Sequence, residues 1–146
     1  MNDQKIRHRV VGIIIKNEKI LLLRRFRNNE EYYVFPGGGV EEGETFEGAL
    51  KREMWEEMSI KIDGAQLLFE FDQSQEYYGT PLTEKNHYYR IENFEGIPTL
   101  GGPEKERMNE QNQYHIEWIS FAKIGKMENL FPKIAVGKLC EEMKFK

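Results

Sequence analysis

The chain has few of the features that mark secreted, membrane-spanning or nucleic-acid-binding proteins. Its single cysteine, Cys140, excludes an internal disulfide framework and fits a reducing compartment. The longest apolar run is broken at Gly12 and is far shorter than the roughly 20 residues that span a bilayer. The polar, basic N-terminus does not resemble a signal peptide. We therefore expect a cytoplasmic protein that does not contact membranes.

An excess of basic residues is also missing. The chain of 146 residues has 21 basic and 25 acidic residues, and its formal net charge is −4. Proteins that bind nucleic acid irrespective of sequence rely on surplus lysine and arginine against the phosphates. Long nucleic acid is therefore a poor candidate substrate, whereas a small anionic ligand is compatible with this charge if metal ions neutralise it locally.

The pattern of apolar residues predicts one α/β domain that covers residues 1–146. Hydrophobic residues make up 39% and charged residues 32%, as in soluble globular proteins. Glycines, prolines and charges at 96–112 predict a long loop. The remaining segments give two helices, at 45–58 and 133–143, and strands at 10–15, 19–26, 32–35, 61–71, 88–94 and 114–119. The first two strands are expected to form a hairpin.

Pro36 and the three glycines at 37–39 are expected to end a strand in a turn. They lack the lysine and spacing of a phosphate-binding P-loop. We interpret them as a place of close backbone approach, where carbonyl groups are free to bind a metal. The alternative is a loop corner without function.

Three carboxylates, Glu53, Glu56 and Glu57, share one side of the predicted first helix with its apolar residues. The alternative is a solvated helix face, the usual place of glutamates. Like charges at these spacings repel one another, and Arg52 could offset part of this by bridging to Glu56 or Glu44. A hard cation such as Mg²⁺, which prefers oxygen ligands, would offset more.

These residues belong to a longer pattern, Gly38-x5-Glu44-x7-Arg52-Glu53-Met54-x-Glu56-Glu57-x-Ser59-Ile60. The pattern matches the Nudix box at every fixed place except Ser59, where the family has a glycine. The chain thus resembles the MutT-like Nudix hydrolases. The resemblance implies the Nudix fold, an α/β/α sandwich with a mixed sheet and the box as a loop–helix–loop. Ser59 is expected to adopt a positive φ at some cost, without loss of chemistry.

The resemblance also implies a reaction. Nudix hydrolases cleave a diphosphate linkage in a nucleoside diphosphate linked to a group X, or in a nucleoside triphosphate. The products are a nucleotide monophosphate and either phosphorylated X or pyrophosphate. The implied cofactor is Mg²⁺, with Mn²⁺ as an alternative, and the implied ligands are Glu53, Glu56, Glu57 and the backbone at Gly37 or Gly38. Glu53 is our first choice for the base that activates water, and Glu57 is the second.

Other residues of the site follow less directly. By resemblance Glu44 supports the site together with Arg52, although an acid at a helix N-terminus is also favoured by the helix dipole. A further ligand in relatives comes from the loop before a late strand, where Glu104, Glu106 and Glu110 are the candidates. A solvated polar loop is the alternative for each of them.

The sequence gives only a few candidate residues for contact with the substrate. Arg24 and Arg25 end a strand that leads toward the predicted site and could meet phosphates, and Tyr33 could stack on a base; solvation and sheet packing are the alternatives. The expected partner is a small nucleotide-type molecule, and a homodimer is compatible with the sequence. Two other functions share the fold, a nucleotide sensor without catalysis and a prenyl diphosphate isomerase. The latter uses a cysteine in relatives, but Cys140 lies far from the box.

Overall fold

The computed structural model describes residues 5–101 and 108–143. Within that part of the chain neither helix is long and apolar enough to cross a bilayer. The two α-helices are α1 (Phe46–Met58) and α2 (Lys133–Met143), and a 3-10 helix covers Phe121–Lys126. The strands are β1 (Lys5–Ile13), β2 (Ile15–Lys16), β3 (Lys19–Arg27), β4 (Glu30–Val34), β5 (Gly37–Gly39), β6 (Lys61–Tyr77), β7 (Thr80–Glu95), β8 (Asn112–Ser120) and β9 (Leu130–Phe131).

The strands form two mixed sheets. The first sheet has the order β5-β1-β7-β6, in which β1 and β7 are parallel and the other pairs are antiparallel. The second sheet has the order β2-β3-β4-β9, and β8 pairs with β3. The α/β class that the sequence predicts, with mixed sheets and helices packed on them, is confirmed.

Helix α1 begins and ends as its sequence predicts. The Thr45 side chain accepts a hydrogen bond from the Gly48 backbone N–H and caps the first turn. Ser59 ends the helix in the left-handed region, with a φ of 57°, so the expected positive φ is confirmed. After β7 the chain returns to this end, where the Thr99 N–H donates to the Met58 carbonyl at 2.9 Å. The loop thereby satisfies a carbonyl that the helix itself leaves open.

The prediction of a turn at the three glycines is wrong, because residues 37–39 form β5, which pairs antiparallel with β1. The reason is steric. A Cβ added to Gly37 would lie 2.3 Å from the Val10 carbonyl oxygen, so only glycine lets the two backbones approach this closely. Local sequence predicts a turn, but the contact with β1 extends the segment.

Two hydrophobic clusters hold the fold together. The first includes the buried face of α1, formed by Ala49, Leu50, Met54 and Met58, and side chains of the first sheet such as Val10. The second includes Leu139 of α2 together with residues from both sheets. Burying side chains of this size contributes about 2 kcal/mol each. Packing of the first cluster fixes α1 against β5, and this contact positions the candidate site.

Candidate active site

The contact between α1 and β5 places the carboxylate of Glu53 directly over Gly38. A Cβ added to Gly38 would lie 2.3 Å from the carboxyl carbon of Glu53 and 2.4 Å from each of its oxygens. The carboxylate therefore occupies space that only a glycine leaves open. The Glu53 side chain is 15% exposed, so the helix presents it to the protein rather than to solvent.

Arg52 joins the acidic residues of the helix to the glycine strand. Its guanidinium contacts Glu44 twice, from Nε to Oε2 at 2.7 Å and from Nη2 to Oε1 at 2.9 Å. Nη1 donates to Glu53 Oε2 at 2.9 Å and to Glu56 Oε1 at 3.1 Å. Nη2 also donates to the Gly39 carbonyl at 2.9 Å. The expected bridges to Glu44 and Glu56 are confirmed, and those to Glu53 and Gly39 were not predicted.

This network keeps Glu44 and Arg52 charged. The hydrogen bonds from Arg52, together with one from the Glu41 backbone N–H, lower the pKa of Glu44 to about 2. The hydrogen bond to Glu44 raises the pKa of Arg52 above its already high ordinary value, and Glu53 adds to this effect. Paired charges with complete hydrogen bonding hold a rigid geometry. Glu44 and Arg52 thus act as a fixed support for Glu53.

Glu57 lies one turn further along α1, at the wall of a cavity of about 320 Å³ between the two sheets. The cavity is also lined by Gly37 of β5 and Arg25 of β3. The Oε1 atom of Glu57 is shielded from solvent. Glu56, in contrast, has a side chain that is 48% exposed and lies at the rim of the acidic group.

The donor chemistry of this region fits a divalent cation. Glu53 and Glu57 supply carboxylate oxygens beside a strand without side chains, and the positive charge of Arg52 does not balance the carboxylates around it. Over residues 5–101 and 108–143 no three His, Cys, Asp or Glu side chains converge as a complete metal site. In this arrangement Arg52 contacts both Glu53 and Glu56. A bound metal would therefore compete with Arg52 for these oxygens.

The predicted phosphate contacts divide between the two faces of β3. Arg25 lines the cavity, with its guanidinium carbon 4.6 Å from the centroid of the Tyr114 ring. Arg24 points to the other face, because successive strand residues alternate. There it pairs with Glu117 at 2.6 Å, and the Tyr33 hydroxyl donates to Glu117 at 3.1 Å. Neither Arg24 nor Tyr33 is among the described residues that line the cavity, and their contact with the substrate stays a prediction.

Of the loop candidates for a further metal ligand, Glu110 is the one that lies in the described part of the chain. Glu110 is exposed in the tight turn between Asn109 and Asn112, where a backbone bridge leads into β8. Glu104 and Glu106 lie outside the described residues.

Sequence reasoning missed the polar residues that the first sheet contributes to the cavity. Arg9 comes from β1, Gln73 and Gln75 come from β6, and Glu84 and Asn86 come from β7. The available signal was the alternation in residues 82–89, where Glu84, Asn86 and the following tyrosine occupy every second position. Reading this stretch as a strand would have placed these side chains on one face.

Comparison with known proteins identifies the family. The sequence model of the NUDIX domain matches residues 6–136. The chain belongs to the NUDIX family. Among solved structures, a MutT NUDIX hydrolase from Burkholderia pseudomallei has a TM-score of 0.71 and 23% identity, covering 92% of this chain and 98% of that one. A MutT protein from Methanosarcina mazei has a TM-score of 0.72 and 20% identity, with coverage of 99% and 98%. At these identities the likeness shows the shared fold.

Curated relatives match a shorter segment. The RNA pyrophosphohydrolase of Psychromonas ingrahamii is 43% identical over 58 residues, which cover 40% of this chain and 32% of that protein. The enzyme of the same name from Shewanella sediminis is 43% identical over 60 residues, with coverage of 40% and 34%. The match thus spans about a third of the length of these relatives. NUDIX hydrolases generally use divalent metal ions and act on small nucleotide-type substrates.

Proposed function

We propose that this NUDIX protein hydrolyses the phosphoric anhydride bond of a nucleoside diphosphate linked to a group X, or of a nucleoside triphosphate, with Mg²⁺ or Mn²⁺. The products would be a nucleotide monophosphate and phosphorylated X or pyrophosphate. The observation that supports this is the position of Glu53 and Glu57. Both project from α1 beside the glycine strand, and Glu57 also lines a cavity large enough for a small ligand.

A divalent cation held by Glu53, Glu56 and Glu57, with a backbone carbonyl of Gly37 or Gly38, would neutralise phosphate charge and lower the pKa of a bound water. Glu53 is fixed by Arg52 and by the space over Gly38, which suits a ligand that must not move.

Proton transfer is better assigned to Glu57. From sequence alone Glu53 is the first choice for the base, but in the structure its Oε2 accepts a hydrogen bond from Arg52, which weakens it as a proton acceptor. Glu57 lies at the cavity wall, where an attacking water would stand. We therefore place the proton acceptor at Glu57. Arg25 lines the same cavity and supplies positive charge for the phosphates.

A substrate panel tests the proposal. Purified protein is incubated with nucleoside triphosphates, nucleotide sugars, dinucleoside polyphosphates and a 5′-triphosphorylated RNA, each with Mg²⁺, with Mn²⁺ and with a chelator. The RNA is included because curated relatives carry the name RNA pyrophosphohydrolase. We expect turnover of at least one small nucleotide that the chelator abolishes. Binding of intact nucleotides without metal-dependent turnover would instead support a nucleotide sensor.

A matched pair of variants connects the activity to the site. Glu57→Gln keeps the volume of the side chain but removes its charge, so we expect kcat to fall by roughly two orders of magnitude or more with the fold intact. Glu47→Gln changes an exposed glutamate in the first turn of the same helix and should leave kcat unchanged. Equal kcat values for the two variants would show that the site is wrongly assigned.

A further inference from the structure

The first sheet contributes a row of polar side chains to the cavity, and the two that come from β7 are buried. Glu84 is 7% exposed and Asn86 is 3% exposed, although both line the cavity wall. They lie two residues apart on β7 and therefore share a face of the sheet. Gln73 lies opposite Glu84 on β6, and Gln75 follows two residues later on the same face. We name these four residues the polar wall.

The carboxylate of Glu84 is buried in a cavity that Arg9 also lines. Its Oε1 accepts a hydrogen bond from Gln75 Nε2 at 2.9 Å. Within residues 5–101 and 108–143 no basic side chain forms a salt bridge with Glu84. Burying an ionised carboxylate is costly unless charge or hydrogen-bond donors surround it. A ligand that brings hydrogen-bond donors into the cavity would stabilise this carboxylate further.

Asn86 adds a second acceptor with a fixed direction. Its Nδ2 donates to the backbone carbonyls of Phe71 at 3.4 Å and of Glu84 at 3.3 Å. Both protons of the amide are thereby used, and Oδ1 is the group that the side chain can offer to a ligand. Oxygen acceptors thus stand at two alternate positions of the polar wall.

We propose that Glu84 and Asn86 recognise the base of the substrate and select guanine. A carboxylate pairs best with two adjacent N–H donors. Guanine offers N1–H beside its N2 amino group. Adenine places the acceptor N1 beside its amino group, and uracil places its one N–H between two carbonyls, so both would turn lone pairs toward Glu84. The inference rests on the proposed function insofar as the ligand is a nucleotide, and it names the base.

Binding of nucleoside monophosphates tests this without turnover, because they contain no anhydride bond. Calorimetry compares GMP, IMP, AMP and UMP on the wild-type protein. IMP keeps N1–H but lacks the 2-amino group, so we expect it to bind about tenfold more weakly than GMP. UMP and AMP should bind more weakly still. Equal affinity for GMP and IMP would overturn the inference, as would the absence of binding to every nucleotide.

Two variants test whether the side chain of Glu84 causes the preference for guanine. Glu84→Gln presents one donor and one acceptor, which match the edge of adenine, so the ratio of GMP to AMP affinity should fall about tenfold or more. Glu92→Gln alters an exposed glutamate on the same strand and should leave the ratio unchanged. An unchanged ratio in Glu84→Gln, with an unchanged melting temperature, would contradict the inference. If Glu84→Gln fails to fold, the wild-type comparison of GMP with IMP decides.

The two proposals can fail separately. Preference for GMP without hydrolysis of any anhydride would leave the base assignment intact and remove the proposed function. Metal-dependent hydrolysis with equal kcat/KM for guanine, adenine and uracil nucleotides would support the proposed function and remove the base assignment.

Discussion

Replacing Gly38 with alanine adds a single methyl group at the point where β5 meets α1. The new Cβ would lie 2.4 Å from each oxygen of Glu53, whereas ordinary contact begins at 3.4 Å. The carboxylate must therefore retreat by about 1 Å, the difference between these two distances. The φ of Gly38 lies outside the left-handed region, so alanine fits the backbone. The change displaces one functional group and leaves the fold unaltered.

A displacement of about 1 Å in a catalytic group costs roughly 100-fold in rate. We expect Gly38→Ala to lower kcat/KM by about this factor and to weaken Mn²⁺ binding, measured by electron paramagnetic resonance, by about tenfold or more. The control is Gly137→Ala in α2, where an added Cβ meets nothing within 4 Å. It should keep full activity and gain about 0.5 kcal/mol of stability. A Gly38→Ala protein with normal melting and activity within about threefold of wild type would refute the reasoning.

Three further predictions concern the support of the site. Arg52→Lys leaves one ammonium in place of a planar group with several contacts, so kcat should fall about tenfold or more while the circular dichroism spectrum is unchanged. Because the pKa of Glu44 is lowered to about 2, its ion pair stabilises the protein above the ordinary pKa of 4.5, and this stability is lost as the pH falls from about 4.5 to about 2. Urea unfolding of Glu44→Gln should show a weaker loss over that range than wild type. Ser59→Gly relieves a φ of 57°, so the melting temperature should rise by about 2 °C at unchanged kcat.

Helix α1 was predictable because its signals agree with one another. An N-cap at Thr45, apolar residues at helical spacing and an interruption at Ser59 define it within one residue at each end. Strands β6 and β7 were predicted too short, at 61–71 and 88–94, although they cover Lys61–Tyr77 and Thr80–Glu95. The missing parts are rich in polar residues, and pairing of β7 with β1 extends them regardless of local preference.

The box residues could be found from sequence because their chemistry requires a fixed spacing along the chain. The residues that line the cavity could not be found in this way. The polar part of its lining depends on the registers of β1, β7 and β6, in which Arg9 lies beside Asn86 and Gln73 lies beside Glu84. The register of β1 against β7, which lie about 80 residues apart in the chain, is set by packing of the whole sheet. The same limit explains why the sequence did not show which of Arg24 and Arg25 faces the cavity. The face that each side chain occupies follows from the exact register of β3.

The charged residues of the cavity impose different requirements on the phosphates and on the base of a ligand. Phosphates must approach Glu57, a group of their own sign, and among the described lining residues the basic ones are Arg9 and Arg25. Under the proposed function a divalent cation would lessen this repulsion for the phosphate chain, as well as supply the chemistry. The polar wall presents Glu84 to a neutral base that donates hydrogen bonds, and this contact needs no cation. Affinity for a nucleoside triphosphate should accordingly depend on metal more strongly than affinity for a monophosphate, because every added phosphate increases repulsion from Glu57 while the base contact is unchanged.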